Sequence, residues 1–196
     1  WEQNVRTGAF GPASIRNVAD WQTGAEAFER IGTCEPGTYT LSGAGEPEAV
    51  TGAAVSLELL DLLDARPALG RLLEPGDRAA GAPRVALIST ALWQRRYARS
   101  PDVVGRVILL DGRQVTIAGV TAPSFTIAPF AGLEPEVLVP AGDPLVALRS
   151  SRTAIVVGRL RPGATTKLAR RELDAVAARI EAADADSRGW GVLALH

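Results

Sequence analysis

The sequence predicts an α+β fold in which a β-rich block is inserted into a part built from both ends of the chain. Three observations carry this reading. The C-terminal region reads strand, turn, long amphipathic helix, strand. The N-terminal region mixes helices with Gly- and Thr-rich strands. Between them, "RVILLDGRQVTIAGV" sets two β-branched runs on either side of an Asp-Gly pair, the strongest short-range hairpin signal.

Residues 1–30 open extended and pass into "SIRNVADWQTGAEAF". Ser14 offers an N-cap oxygen there, and Ile15, Val18, Ala19 and Trp21 recur at mostly three- and four-residue spacing, which predicts a short helix burying them. Residues 31–52 predict strands joined by tight turns, with Gly43 and Gly45 in a hairpin turn and "PEAVTGAAVS" returning. "LELLDLLDA" has helical spacing: Leu59, Leu62 and Leu63 share a face bordered by Glu58, Asp61 and Asp64. Pro67 cannot continue that helix and pushes Arg66 toward an extended shape.

"PRVALIS" is a short continuous apolar run and reads as a buried strand. Ser89 or Thr90 then caps the helix "ALWQRRYAR", with Trp93 and Tyr97 on one face and Arg95, Arg96 and Arg99 toward water. Ser100-Pro101 stops it. A two-residue type I′ turn at Asp111-Gly112 pairs Leu110 with Arg113, Ile108 with Val115 and Arg106 with Ile117. "APSFTIAPFAGLEP" is a Pro-rich loop and "EVLVP" a short strand. After a polar connector over 141–153, "TAIVVGRL" is a strand and "TKLARRELDAVAARIEAAD" the longest helix. Ala169, Leu173, Val176, Ala177 and Ile180 form its apolar stripe, while Arg170, Arg171, Asp174 and Glu181 stay wet. "GWGVLAL" is a last strand.

Composition narrows the function. The 196 residues, 46% hydrophobic, suffice for a core without metal or disulfide staples. With 21 basic and 22 acidic residues the net charge is −1, which leaves no electrostatic footprint for nucleic acid or anionic lipid. Cys34 is the only cysteine, so no internal disulfide forms. The sole histidine is His196, which argues against His-centred triads, metal sites and proton relays. No apolar run approaches the ~20 residues that cross a bilayer. The opening "WEQNVRTGAF" has no signal-peptide pattern and reads as an excised start.

The candidates for chemistry are thin. Ser89 precedes a helix as a hydrolase nucleophile does, but "ALISTAL" lacks the G-x-S-x-G elbow, so a cap is the better reading. Cys34 has no second cysteine and no histidine partner in the sequence. Glu58, Asp61 and Asp64 read as the solvated edge of a leucine face rather than as metal ligands or a glycosidase pair. "GAGEP" lacks the third glycine of a dinucleotide cradle, and no P-loop occurs. The sequence therefore predicts no catalytic, cofactor-binding or metal residue.

The phrasing of the middle resembles the extracytoplasmic core domain of MacB-type ABC transporter permeases, the group that includes FtsX-like and Lol-type permeases. The resemblance rests first on Val55, Ser56, Leu59, Leu60, Leu63, Arg66, Pro67, Gly70, Arg71, Leu73 and Asp77. It continues through Val85, Ile88, Ser89, Leu92, Trp93, Arg95, Arg96 and Tyr97, then Val103, Gly105, Asp111, Gly112, Gly119, Val120, Pro123 and Phe125. "EVLVP" follows, with Leu138 in place of an aromatic, and "VGRLRPGATTKLARRELDAVAARI" closes the match with Ala164 in place of the usual Val. The wording is nearest the long orphan permeases of this class, which carry duplicated cores.

This resemblance implies a piece lying between the first two transmembrane helices of a permease, on the periplasmic side of the inner membrane. It implies a βαβ-rich Porter-like subdomain from residues 1–65 and 149–196 and an inserted Sabre-like subdomain over 66–148. The implied function is non-catalytic: the domain couples motion driven by a cytoplasmic ABC ATPase to export or another periplasmic task. Implied partners are that ATPase, a second ectodomain or duplicated half, and a periplasmic or outer-membrane protein, with no nucleic acid and no cofactor. The Gly70-Arg71 and Trp93 phrases become scaffold at the junction of the subdomains. An alternative is an ectodomain that captures a peptide, lipid or lipoprotein through the loop at 122–135, using Phe125, Ile127 and Phe130. A secreted hydrolase is the third and weakest reading.

Overall fold

A computed structural model describes every residue except 1, 5, 44, 128, 130, 131, 133, 143–150 and 193–196. The described elements, in chain order, are β1 (Glu2–Asn4), β2 (Phe10–Gly11), β3 (Ala13–Ser14), α1 (Ile15–Gly24), β4 (Phe28–Ser42) and β5 (Glu48–Val55). They continue with α2 (Leu57–Leu62), β6 (Pro67–Gly70), β7 (Val85–Ile88), α3 (Thr90–Tyr97), β8 (Val107–Leu110) and β9 (Arg113–Thr121). The last are β10 (Val137–Pro140), β11 (Arg152–Leu160), α4 (Thr166–Ala183) and β12 (Trp190–Val192). The class is α+β, and the chain divides into two compact units, Trp1–Thr33 with Asp143–His196 and Cys34–Gly142. The second unit thus begins at Cys34. The reason is pairing: β5 forms ladders with β4 and β10, which holds residues 34–55 to the inserted block.

In the first unit β1 pairs antiparallel with β12 and with β2, and β11 lies between β3 and β4. Helices α1 and α4 supply its core, in which Val18 and Trp21 meet Leu173, Val176 and Ile180. The α4 stripe is the one its periodicity predicts, with Ala169, Leu173, Val176 and Ile180 buried and Ala177 half-buried. Thr165 caps it by accepting from the Leu168 amide. The face of α1 differs from expectation. Asn17, Val18 and Trp21 are buried, while Ile15 and Ala19 are only half-buried. Asn17 goes inward because Glu2 accepts its amide hydrogen bond. Ser14 occupies the N-cap position without a side-chain cap bond.

In the second unit six strands pair in a ring. β4 pairs with β5, β5 with β10, β10 with β7, β7 with β9, β9 with β8, and β8 back with β4 through Leu41 opposite Leu110. Closing the ladder removes strand edges that would otherwise invite aggregation. Leu41, Val50, Ala86, Ile88, Ile108, Ile117 and Val137 fill the core. The hairpin register is as the Asp-Gly turn predicts, Leu110 opposite Arg113 and Ile108 opposite Val115, with the Ile117 amide donating to the Arg106 carbonyl. Asp111 and Gly112 both have positive φ, 50° and 75°. The turn is anchored to β4 because the Thr40 amide donates to Asp111 Oδ1 at 2.8 Å.

Helix α2 ends before Pro67 acts. Asp64 turns left-handed at φ 49°, and the Ala65 amide donates back to the Leu60 carbonyl, a Schellman closure. Leu59, Leu60 and Leu62 are buried and Leu63 is half-buried. Pro67 instead opens β6, a strand that local pattern does not reveal.

Candidate functional site

The residues singled out as possible chemistry are absorbed by structure. Ser89 Oγ accepts from the Leu92 amide at 3.1 Å, the geometry of an N-cap. Cys34 is buried, and burial, with the nearby Glu35 charge, pushes its thiol up to about 12, which favours the protonated form. Gly43 and Gly45, at φ 96° and 79°, lie in the turn between β4 and β5. Asp64 pairs with Arg66 at 2.6 Å in an exposed bridge, Asp61 is exposed, and Glu58 is half-buried. Among the described residues no cluster of His, Cys, Asp and Glu is arranged to hold a metal ion. In the loop at 122–135, Ile127 is fully buried and Phe125 half-buried, while Phe130 lies outside the described residues.

Of the arginines predicted to face water, Arg96 is largely covered, while Arg95 stays 50% exposed and still forms ion pairs. Arg96 Nη1 donates to Glu48 Oε1 at 2.5 Å and its side chain is 11% exposed. Arg95 bonds both Glu48, at 3.0 Å, and Glu136. These contacts tie α3 to the starts of β5 and β10. The hydrogen bond from Arg96, and then the charge of Arg95, hold the Glu48 carboxyl below its ordinary value.

The Gly70-Arg71 and Trp93 phrases make contacts within the second unit. A Cβ on Gly70 would lie 2.4 Å from the Ala118 carbonyl oxygen, and one on Gly119 would lie 2.3 Å from that of Arg71, so the paired strands β6 and β9 approach so closely here that only glycines fit. Trp93 Nε1 donates to the Ser100 carbonyl at 2.8 Å.

The first unit holds a polar cluster that no motif announces. Glu2 is 2% exposed. Its carboxylate accepts from Asn17 Nδ2 at 2.6 Å and from the Ser14 amide at 3.1 Å, and it forms an ion pair with Arg152, whose Nε lies 2.9 Å away. The Arg152 guanidinium lies 3.9 Å from the centre of the Trp190 ring. Four segments, β1, the start of α1, β11 and β12, meet in this one contact set. Sequence reasoning misses it because its members are separated by up to the length of the unit. The same unit has a cavity of about 300 Å³ between α1 and α4, with Asp20, Gly24, Val176, Arg179 and Ile180 in its walls.

A family profile described as the MacB-like periplasmic core domain matches residues 4–176. The chain belongs to the MacB-like periplasmic core domain family. Solved structures agree in fold. The extracellular domain of the noncanonic ABC-type transporter YknZ from Gram-positive bacteria superposes with a TM-score of 0.68 at 12% identity, covering 93% of this chain and 90% of that one. A domain of a putative permease from Porphyromonas gingivalis gives 0.67 at 20% identity, covering 87% and 72%. The periplasmic region of MacB from Actinobacillus actinomycetemcomitans gives 0.64 at 11% identity, covering 91% and 77%. A search of curated proteins returns no match. MacB-like core domains are non-catalytic, extracytoplasmic parts of ABC transporter permeases, so an ABC ATPase is their partner in general. Among the described residues of this MacB-like domain, no helix is long and apolar enough to cross a membrane.

Proposed function

We propose that this MacB-like domain is a stiff lever that couples transmembrane motion, driven by a cytoplasmic ABC ATPase, to export or another periplasmic task. The observation that carries this is the pairing of Glu2 with Val192 across β1 and β12. The chain enters and leaves the first unit side by side, so a displacement of the flanking chain is delivered to one place. In this reading Trp1–Thr33 with Asp143–His196 is the Porter-like part and Cys34–Gly142 the Sabre-like part. A second ectodomain or duplicated half and a periplasmic or outer-membrane protein are the partners it would move against.

Direct capture of a peptide, lipid or lipoprotein at 122–135 has less support, because the burial of Ile127 removes a side chain that such a groove needs. The test is made in the full permease with its ATPase. Flexible Gly-Ser linkers placed before Glu2 and after Val192 are expected to leave ATP hydrolysis running while export stops. Undiminished export with both linkers present would refute the lever.

A further inference from the structure

We propose that Glu2, Arg152 and Trp190 form a clasp through which load on the ends of the first unit passes into its central strands. This rests on the lever reading above and names the residues that bear the load.

β1 and β12 are three residues each, and β2 has two. Short terminal strands fray unless something ties them down. Glu2 is the tie on β1: its buried carboxylate accepts hydrogen bonds from Ser14 and Asn17 and forms an ion pair with Arg152. Charge-assisted bonds of this kind are about twice as strong as neutral ones. Arg152 opens β11, opposite Ser14 in the ladder with β3, so the charge is anchored in a nine-residue strand. On its other side the guanidinium stacks on Trp190, the first residue of β12. One planar cation therefore grips both terminal strands. β11 in turn neighbours β4, whose chain runs on into the second unit. Load on β1 is thus opposed by a buried ion pair and passed to β11 and β4, rather than resting on the β1–β12 ladder alone.

The arrangement also explains why a charge sits in this interior. A buried pair is seldom the most stabilising choice for a core, and losing one partner leaves the other charged and unpaired. What the pair supplies is a directional contact between β1 and the start of β11.

The experiment uses amide hydrogen exchange on the domain, then transport by the full permease. Glu2→Gln and Arg152→Met are expected to speed exchange at Gln3 and Gly191 by about tenfold or more, with Leu173 and Val176 in α4 changing by less than about threefold. Arg152→Lys keeps the charge but loses the planar stack. It is expected to speed Gly191 more than Gln3, and it covers the case in which Arg152→Met unfolds the unit. In the permease, each variant is expected to retain ATP hydrolysis while export falls about tenfold.

Unchanged exchange in β1 and β12 would overturn the clasp. So would faster exchange with undiminished export, since the contacts would then only stabilise the fold. If the linker-bearing permease still exports, the lever reading itself fails, whatever the exchange data show. Loss of export with both the linkers and the clasp variants supports both.

Discussion

Arg71 grips Asp77 with two parallel hydrogen bonds, Nη1 to Oδ2 and Nη2 to Oδ1, each 2.7 Å long. Asp77 Oδ2 also accepts from the Glu74 amide at 2.8 Å, closing a capping box around the turn at Pro75–Arg78. The Arg71 bond first, then the Glu74 amide, holds the Asp77 carboxyl below its ordinary value despite partial burial. A carboxyl depressed in the folded state stabilises above its unfolded value, near pH 4, and that contribution is lost as pH falls through the folded value. Asp77→Asn should therefore cost about 1 kcal/mol at neutral pH, the low end for a charged hydrogen bond, because Arg71 is 41% exposed. Urea unfolding of both proteins at pH 7 and at about pH 2 checks this: the gap between them should narrow in acid.

The glycines separate backbone strain from collision. Gly112 has φ 75° with open space around it, so Gly112→Ala should cost about 1–2 kcal/mol from conformation alone. Gly70 combines φ 71° with the 2.4 Å approach to the Ala118 carbonyl, which adds about 1–3 kcal/mol of overpacking. Gly119→Ala meets backbone oxygen at 2.3 Å without a positive φ. Thermal unfolding should rank Gly70→Ala as the worst of the three. A Gly112→Ala protein that melts lower than Gly70→Ala would contradict the close approach of β6 and β9 at Gly70 and Gly119.

Arg95 and Arg96 share Glu48 but not the same exposure, 50% against 11%. Arg96→Ala should destabilise by about 2 kcal/mol or more, because it leaves a carboxylate short of its principal donor. Arg95→Ala should cost under about 1 kcal/mol and less still at high salt. Equal losses in denaturant titrations at low and high salt would mean that α3 is held by packing rather than by this carboxylate.

Cys34, with its thiol pushed up to about 12, should resist a water-soluble disulfide reagent at pH 8 in the native protein and react at once in strong denaturant. Because the folded value is raised, the associated stability is present below the unfolded thiol's value, about 8.5, and is lost as pH climbs toward 12. Rapid labelling of the native protein would show that β4 opens at this point.

The local grammar of the chain is readable without a structure. The Asp111-Gly112 turn sets the register of β8 and β9, Ser56, Ser89 and Thr165 cap their helices, and the α4 stripe follows its period. Each depends on residues a few positions apart, whose geometry the covalent chain already constrains. Family membership is readable for the same reason, since it rests on those ordered phrases. Tertiary structure alone decided the rest: the start of the second unit at Cys34, the inward turn of Asn17, the closing of the ring by Leu41 and Leu110, and the meeting of Glu2 with Arg152 and Trp190. Such contacts join segments far apart in sequence, so they form only when burial and hydrogen bonding across the whole unit outweigh the entropy of closing long loops.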